Sequence, residues 1–225
     1  MLKRIGVFGG TFNPVHFGHL HIAEEIRKVF SLSQVYFVVA TIPPHKAPGD
    51  LISLTHRYAM VSLATAGMPL CVPSLVELEP EASAFSIDTM GKLARRMGKE
   101  SALYFIAGGD SLAEVKSWRE SERLLTSYNF IFAVRPGAGP ANPADVLPAK
   151  ISARVRDLTG FGQMQMRRVI REKSDATGIY IVDVGAPDIS ATRIRDLASS
   201  GKPIHRMVPG PVRDYIRKLH LYGGR

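Results

Sequence analysis

The stretch GGTFNPVHFGH, residues 9–19, follows the apolar run IGVF at residues 5–8. A short continuous apolar run is typical of a strand that is buried on both faces of a parallel sheet. After the stretch, apolar residues recur at i, i+4, i+7 and i+8, which predicts an amphipathic helix. These residues are Ile22, Ile26, Val29 and Phe30. The stretch is therefore predicted to connect a strand to a helix.

This connection has the chemistry of an anion-binding site. Gly9 and Gly10 let the backbone turn sharply and approach a ligand closely, and Gly18 does the same at the helix start. A helix N-terminus offers unpaired N–H groups and a partial positive charge. His16 and His19, three residues apart, would direct both rings at the bound anion.

The stretch differs from the common phosphate-binding and metal-binding motifs. It contains neither GxxxxGK[ST] nor GxGxxG. The spacing of the two histidines matches no common metal-ligand motif and Cys71 stands alone, so we predict no metal site. Two histidines at a helix cap can also be an ordinary surface feature, but the strand, the glycines and the helix together favour ligand binding.

Composition indicates a globular chain that binds anions. The 225 residues, 45% of them hydrophobic and 22% charged, fit one domain. The longest apolar run, Val35–Ala40, is much shorter than a membrane span, so we expect no membrane partner. Cys71 is the only cysteine, which suits a reducing compartment, and we expect a cytoplasmic location. The net charge of +9 favours nucleotides, phosphates or nucleic acid as partners.

Strand-like and helix-like segments alternate along the sequence. Six strands are predicted, at residues 3–8, 34–40, 70–75, 101–109, 128–135 and 178–184. Helices are predicted at residues 22–30, 55–66, 86–97 (with Ser86 as a cap), 111–118, 192–198 and 211–219, and a basic helical segment is predicted around 150–173. This alternation predicts an α/β fold with a doubly wound, mostly parallel sheet and a small C-terminal helical part.

The position of the ligand-binding site follows from the predicted sheet. We expect one domain over residues 1–225, with a core at 1–135 and 178–198, a basic insertion at 136–177 and a C-terminal helical segment at 199–225. Ligands of such sheets bind at the carboxyl ends of the strands. Three loops that contain candidate binding or catalytic residues each follow a strand. They are GGTFNPVHFGH, TIPPHK at 41–46 and GGDS at 108–111.

Two distant motifs make a family resemblance specific. GGTFNPVHFGHL resembles the H-x-G-H signature of the nucleotidyltransferase superfamily, and ISATRIR at residues 189–195 resembles its I-S-S-T-x-x-R motif. The segments between and after them are similar, in order, to those of bacterial nicotinate-mononucleotide adenylyltransferases. These are PPHK (43–46), HRYAM (56–60), FSIDTM (85–90), FIAGGDSL (105–112), Trp118 and VRDYIRKLHLY (212–222).

The resemblance implies a Rossmann-like nucleotidyltransferase fold and transfer of AMP from ATP to nicotinate mononucleotide in NAD biosynthesis. The products are nicotinate adenine dinucleotide and pyrophosphate. The attacking phosphate is already ionised, so catalysis needs positioning and charge stabilisation rather than a covalent intermediate. On this interpretation the two histidines donate hydrogen bonds to the charge that develops on the phosphates. Mg²⁺ would be carried by ATP.

The resemblance also implies a set of site residues. The catalytic residues are His16, His19, Lys46 and Arg195. The ATP-binding residues are Gly9, Gly10, Thr11, Phe12, Gly18, Gly108, Asp110, Ile189, Ser190, Thr192 and Arg193. The residues that bind nicotinate mononucleotide are Asn13, His45, Ser86 and Trp118, with Trp118 stacking on the pyridine ring.

Some alternatives stay open at the level of the sequence. The family often has Asp at the position of Asn13 and a second Ser at the position of Ala191. A pantetheine-phosphate adenylyltransferase shares H-x-G-H, although it is generally shorter and lacks PPHK with GGDS and Trp118. The segment 150–173, with seven basic and two acidic residues, allows a non-catalytic nucleotide-binding or RNA-binding protein, although we expect no nucleic-acid partner. The sequence leaves open whether the chain forms a homo-oligomer and whether it prefers the acid or the amide mononucleotide.

Overall fold

A parallel β-sheet forms the centre of the molecule. The computed structural model describes residues 2–41, 51–79, 84–135, 142–172 and 177–223. Within these ranges the sheet has seven strands in the order β3-β2-β1-β4-β5-β7-β6, and every neighbouring pair is parallel. The strands are β1 (Lys3–Gly10), β2 (Gln34–Val39), β3 (Cys71–Ser74), β4 (Ser101–Gly108), β5 (Asn129–Val134), β6 (Val155–Asp157) and β7 (Ile179–Asp183). The predicted fold class is therefore confirmed.

Ten α-helices connect and cover these strands within the described ranges. They are α1 (Phe17–Phe30), α2 (Leu54–Thr65), α3 (Ser86–Met97), α4 (Ser111–Glu114), α5 (Ser121–Ser127), α6 (Pro143–Val146), α7 (Ala149–Ser152), α8 (Gln163–Glu172), α9 (Ala191–Ser199) and α10 (Gly210–Lys218). In addition, 3₁₀ turns lie at Val76–Leu78 and Val115–Ser117. No helix of the described ranges is long and apolar enough to cross a membrane.

Successive side chains of each strand point to opposite faces of the sheet and pack into two separate cores. Along β4, Tyr104 and Ile106 pack into the core on one face, whereas Leu103 and Phe105 pack into the core on the other. Helices α1, α2, α8, α9 and α10 contribute buried residues to the first core, and α3, α4, α5 and α7 contribute to the second. Both faces of the sheet are covered, which explains the continuous apolar runs of its strands.

Three predictions about the elements need correction. The sequence did not predict β6, whose three residues VRD pair with β7 at the edge of the sheet. The segment predicted as basic and helical therefore contains α7, then β6, then α8. The helix predicted at 111–118 is split into α4 and the 3₁₀ turn that follows it. Helices α5 and α6 were not predicted.

The strand order fixes where a ligand can bind. From β1 the chain first builds β2 and β3 on one side, and then places β4, β5, β7 and β6 on the other side. The carboxyl ends of β1 and β4 therefore lie at the point where the winding reverses, which is where open parallel sheets form a crevice. Gly9 and Gly10 end β1 there, and Gly108 ends β4.

Candidate active site

The turn after β1 is shaped by a close contact between glycine and an aromatic ring. Phe12 has a φ of +48°, and its ring is buried against Phe8 and Phe37. A Cβ added to Gly10 would lie 2.8 Å from the Phe12 ring, so only glycine fits. The ring of Phe12 therefore belongs to the core, and the predicted contact of Phe12 with ATP would have to be made by its backbone.

The two histidines form one stacked unit at the start of α1. His16 is the N-cap residue, and its backbone N–H donates to Nδ1 of His19 across 3.3 Å. The ring centroids are 3.7 Å apart and the ring planes are inclined by 29°. A Cβ on Gly18 would lie 3.0 Å from the His16 ring and 3.5 Å from the carbonyl oxygen of Pro187. The glycine of H-x-G-H therefore makes room for the first histidine and for the segment before α9.

Burial keeps His16 neutral at physiological pH. Its side chain is 6% exposed, and burial together with the nearby Arg135 lowers its pKa to about 4. Within the described ranges, His16 Nδ1 has no hydrogen-bond partner. His19 accepts at Nδ1, so in its neutral form the proton is on Nε2.

A cleft of about 730 Å³ runs along the carboxyl ends of β1, β4 and β5. It brings together the predicted residues Gly9, Gly10, Thr11, His16, Gly18, His19, Gly108, Asp110, Ile189 and Ser190. Ser190 caps α9 by accepting from the backbone N–H of Arg193 at 3.2 Å, so the N-terminus of this helix opens at the cleft wall. Arg135 also lines the cleft, although the sequence analysis did not identify it as a candidate site residue.

Three residues of the second motif are not part of the wall of this cleft. Among the residues that line it, Thr192, Arg193 and Arg195 are absent. Arg195 donates to the carbonyl oxygen of Asn13 at 3.1 Å and to Oγ1 of Thr192 at 3.3 Å. In this arrangement Arg195 ties the start of α9 to the loop after β1. Its predicted contact with pyrophosphate stays a prediction.

Asn13 is held inside the protein instead of facing a substrate. It is 1% exposed, and its Oδ1 accepts from the hydroxyl of Tyr222 at 2.9 Å. Burial raises the pKa of Tyr222, so its hydroxyl stays protonated and able to donate. Asn13 does not line this cleft. In this structure Asn13 makes a structural contact with a residue 209 positions away in the sequence, and its predicted substrate contact stays a prediction.

A second cleft, of about 360 Å³, adjoins the first and is more apolar. Trp118 lines it and packs edge-on against Phe105, with ring centroids 5.7 Å apart. Arg119 lies over the ring of Phe85 at 4.7 Å, on the same wall. The two clefts share Gly9, Gly10, Thr11 and Ser111.

The helix that opens at this second cleft differs from its prediction in one detail. Ser86 lines the cleft as the first residue of α3, but the N-cap is Phe85, whose side chain cannot cap the helix. The first turn of α3 therefore presents backbone N–H groups at the cleft. His45 and Lys46, with the PPHK motif, lie outside the described residues, as does the end of the basic segment at 173.

Two further residues at this end of the sheet were not predicted to be site residues. Arg57, in the HRYAM motif, is fully buried and donates to backbone carbonyl oxygens at the ends of β1 and β2. Glu77 lines the second cleft and accepts hydrogen bonds from Thr41. Their partners lie 36 and 46 residues away, which no local pattern reveals. Groups of three or more potential metal ligands are absent from the described part of the chain.

The sequence and the fold of the chain were compared with those of known proteins. Residues 7–197 match the family model described as cytidylyltransferase-like. A Plasmodium falciparum nicotinic acid mononucleotide adenylyltransferase complexed with NaAD has the same fold, with a TM-score of 0.69 at 17% identity, covering 98% of this chain and 97% of that one. The chain, with its parallel sheet and its paired histidines at the start of α1, is therefore a nucleotidyltransferase of the cytidylyltransferase-like class.

Curated relatives narrow the class to one family. A protein of Thermoanaerobacter sp. (strain X514) named "Probable nicotinate-nucleotide adenylyltransferase" is 37% identical over 219 residues, which is 97% of this chain and 94% of that protein. One of the same name from Geobacter metallireducens is 37% identical over 97% of this chain and 98% of its own length. The chain belongs to the nicotinate-nucleotide adenylyltransferase family.

Proposed function

We propose that the chain transfers AMP from ATP to nicotinate mononucleotide and releases pyrophosphate, as a step of NAD biosynthesis. The observation that supports this most strongly is the pair of clefts that meet at Gly9, Gly10, Thr11 and Ser111. One cleft is lined by glycines, histidines and a helix N-terminus, which suits a triphosphate. The other is lined by aromatic side chains, which suits a pyridine ring.

The reaction needs two phosphates brought into line. The phosphate of nicotinate mononucleotide attacks the α-phosphorus of ATP, the new P–O–P bond forms, and the bond to the leaving pyrophosphate breaks. With ATP in the larger cleft and the mononucleotide in the aromatic one, the two phosphates meet at the shared backbone of Gly9–Thr11. Holding reactants in this way supplies a large part of the rate without any protein nucleophile.

The residues around the larger cleft would stabilise the charge that builds up. His19 would donate from Nε2, and His16 would use the ring nitrogen that has no partner in the described chain. Arg135 and the N-terminus of α9 at Ser190 add positive potential. Mg²⁺ would arrive with ATP, and Asp110, exposed on the cleft wall, could hold it through water. Lys46 and Arg195 remain the candidates for the outer phosphates.

The aromatic cleft would favour the acid over the amide mononucleotide. Trp118 would stack on the pyridine ring, and the N–H groups that begin α3 at Ser86 would receive the carboxylate. A carboxylate at a helix N-terminus gains typically 0.3–1 kcal/mol at an exposed site, and more when partly buried. A neutral amide gains much less of this stabilisation.

Basic residues of the segment 150–173 are partly accounted for by the fold. Arg154 donates to the carbonyl oxygens of Leu125 and Thr177. It joins α5, β6 and the start of β7, so this cation serves the structure. No observation in the described ranges favours RNA binding as a second function.

The test is pyrophosphate release from ATP with four acceptors, namely nicotinate mononucleotide, nicotinamide mononucleotide, 4′-phosphopantetheine and none. We expect turnover with nicotinate mononucleotide and a lower kcat/KM with its amide. The matched control is His19→Ala, which removes a cleft donor and should abolish most release. Turnover with 4′-phosphopantetheine alone would contradict the proposal, and so would RNA binding with a steep salt dependence and no release with any acceptor.

A further inference from the structure

Arg57 is a buried cation whose hydrogen bonds go to the main chain. It lies on α2 and is 1% exposed. Among the described residues its guanidinium donates to the carbonyl oxygens of Ile52 at 3.2 Å, Thr11 at 2.9 Å, Ala40 at 2.6 Å and Thr41 at 3.3 Å. Burial lowers its pKa from the ordinary value, yet the group stays charged at neutral pH. A buried charge is costly unless its donors are hydrogen-bonded, and these carbonyl oxygens satisfy them.

The bonds begin where the ladder between β1 and β2 ends. The final register pair is Gly10 with Val39, followed by the N–H of Ala40, which donates to the carbonyl oxygen of Gly10 at 2.9 Å. Beyond this point the two strands separate. The guanidinium of Arg57 then joins the residues that follow each strand, Thr11 after β1 and both Ala40 and Thr41 after β2.

Glu77 holds the same segment from the opposite side. Its Oε2 accepts from the backbone N–H and from Oγ1 of Thr41, both at 3.0 Å, and its Oε1 accepts from Oγ1 of Thr89 at 3.1 Å. The carbonyl groups of Ala40 and Thr41 therefore face a cation, and the N–H of Thr41 faces an anion. The end of β2 is fixed from both sides.

This fixed segment is the floor of the candidate site. Thr11 lines both clefts, and Ala40 and Glu77 line the aromatic cleft. Arg57 lines neither, so it acts only through the backbone that it holds. A displacement of about 1 Å of groups that position a substrate can cost roughly 100-fold in rate.

We propose that Arg57 and Glu77 are positioning residues for nucleotidyl transfer, which fix the ends of β1 and β2 so that substrates in the two clefts meet in line at Thr11. This inference rests on the proposed function, because the two substrates define which geometry matters. It predicts a loss of kcat that exceeds any loss expected from reduced stability.

The experiment compares three variants at these positions with a core variant of the same helix. Arg57→Met removes the donors, Arg57→Lys keeps a charge with fewer donors, and Glu77→Gln removes the charge of the acceptor. The control is Met60→Ala, since Met60 is 0% exposed on α2 and packs in the core on one face of the sheet. For each protein, Tm is measured first, and then kcat and both KM values at a temperature at which every variant is folded.

We expect Arg57→Met to lose about 100-fold in kcat, Arg57→Lys to recover part of it, and Glu77→Gln to lose several-fold. Met60→Ala should lower Tm at least as much while keeping kcat within about threefold. The inference is overturned if kcat of the Arg57 and Glu77 variants falls only as far as in a control of equal Tm. Should Arg57→Met fail to fold, the Lys and Gln variants carry the same test. A wild-type protein that releases no pyrophosphate with any acceptor would instead contradict the proposed function.

Discussion

Acidification should destabilise this protein through a single buried imidazole. His16 is neutral in the folded state, because burial and Arg135 lower its pKa from 6.5 to about 4. In the unfolded chain the ring recovers an ordinary pKa, so between pH 6.5 and 4 the unfolded state binds more protons. The stabilisation from neutral His16 is therefore complete above pH 6.5 and is lost as the pH falls towards 4.

The size of this effect follows from the two pKa values. Their difference corresponds to about 3 kcal/mol in full, of which about 2.5 kcal/mol is lost by pH 4.5. Domains of this kind have a total stability of about 5–15 kcal/mol, so the loss is a large and measurable fraction. Carboxylates that titrate in the same range contribute as well, and a variant without the imidazole is needed to separate them.

The assay is urea unfolding of the wild type and of His16→Asn at several pH values from 7.5 to 4.5. Asn is a favourable N-cap residue and does not titrate, so it keeps the start of α1 while removing the proton site. The wild type should lose about 2.5 kcal/mol more than the variant between pH 7.5 and 4.5. Two unfolding curves that shift in parallel over this range would refute the reasoning and show that His16 titrates normally.

Three further substitutions test separate parts of the site. His19→Ala should lower kcat by about 10²–10³ while costing roughly 1–3 kcal/mol in urea unfolding, because the bond to the His16 N–H and the ring contacts with His16 and Phe12 are lost; an unchanged kcat would remove His19 from the reaction. Gly10→Ala should destabilise by about 1–3 kcal/mol, since its Cβ would lie 2.8 Å from the Phe12 ring, and equal stability would show that the ring moves freely. Trp118→Ala should raise KM for nicotinate mononucleotide by roughly 5-fold to 100-fold, the equivalent of about 1–3 kcal/mol of stacking, with KM for ATP unchanged; equal effects on both KM values would contradict separate clefts.

Much of the fold could be predicted because its strands are strongly patterned. The six predicted strands are all present, and each is an apolar run between loops. Strand β6 could not be recognised, since Val155, Arg156 and Asp157 form a short, polar edge strand that depends on pairing with β7. Edge strands of this length have too few residues for a period to appear.

The candidate site was predictable where a residue acts through its own local chemistry. His16 and His19 share a cleft with the glycines of β1 and β4, as the strand-to-helix connection predicted. Phe12 and Asn13 differ because their positions depend on distant groups. The ring of Phe12 turns inward to meet Phe37, and Asn13 meets Tyr222 from the last turn of the described chain. No sequence window contains both partners of such contacts.

Arg57 shows the same limit for a charged residue. In the sequence it is one cation of an ordinary helix, and charged helix residues are mostly solvated. The structure makes it one of the largest fully buried side chains, with partners 5 to 46 residues away. Its role can be recognised only once the tertiary fold brings the ends of β1 and β2 next to α2.

The most direct test of the account is a crystal structure with a non-hydrolysable ATP analogue and nicotinate mononucleotide bound together. The account predicts ring nitrogens of both His16 and His19 within about 3.2 Å of phosphoryl oxygens, with the pyridine ring against Trp118 and the two phosphates meeting beside Thr11. A structure in which both imidazoles point away from the triphosphate, several ångströms from any phosphoryl oxygen, would contradict it.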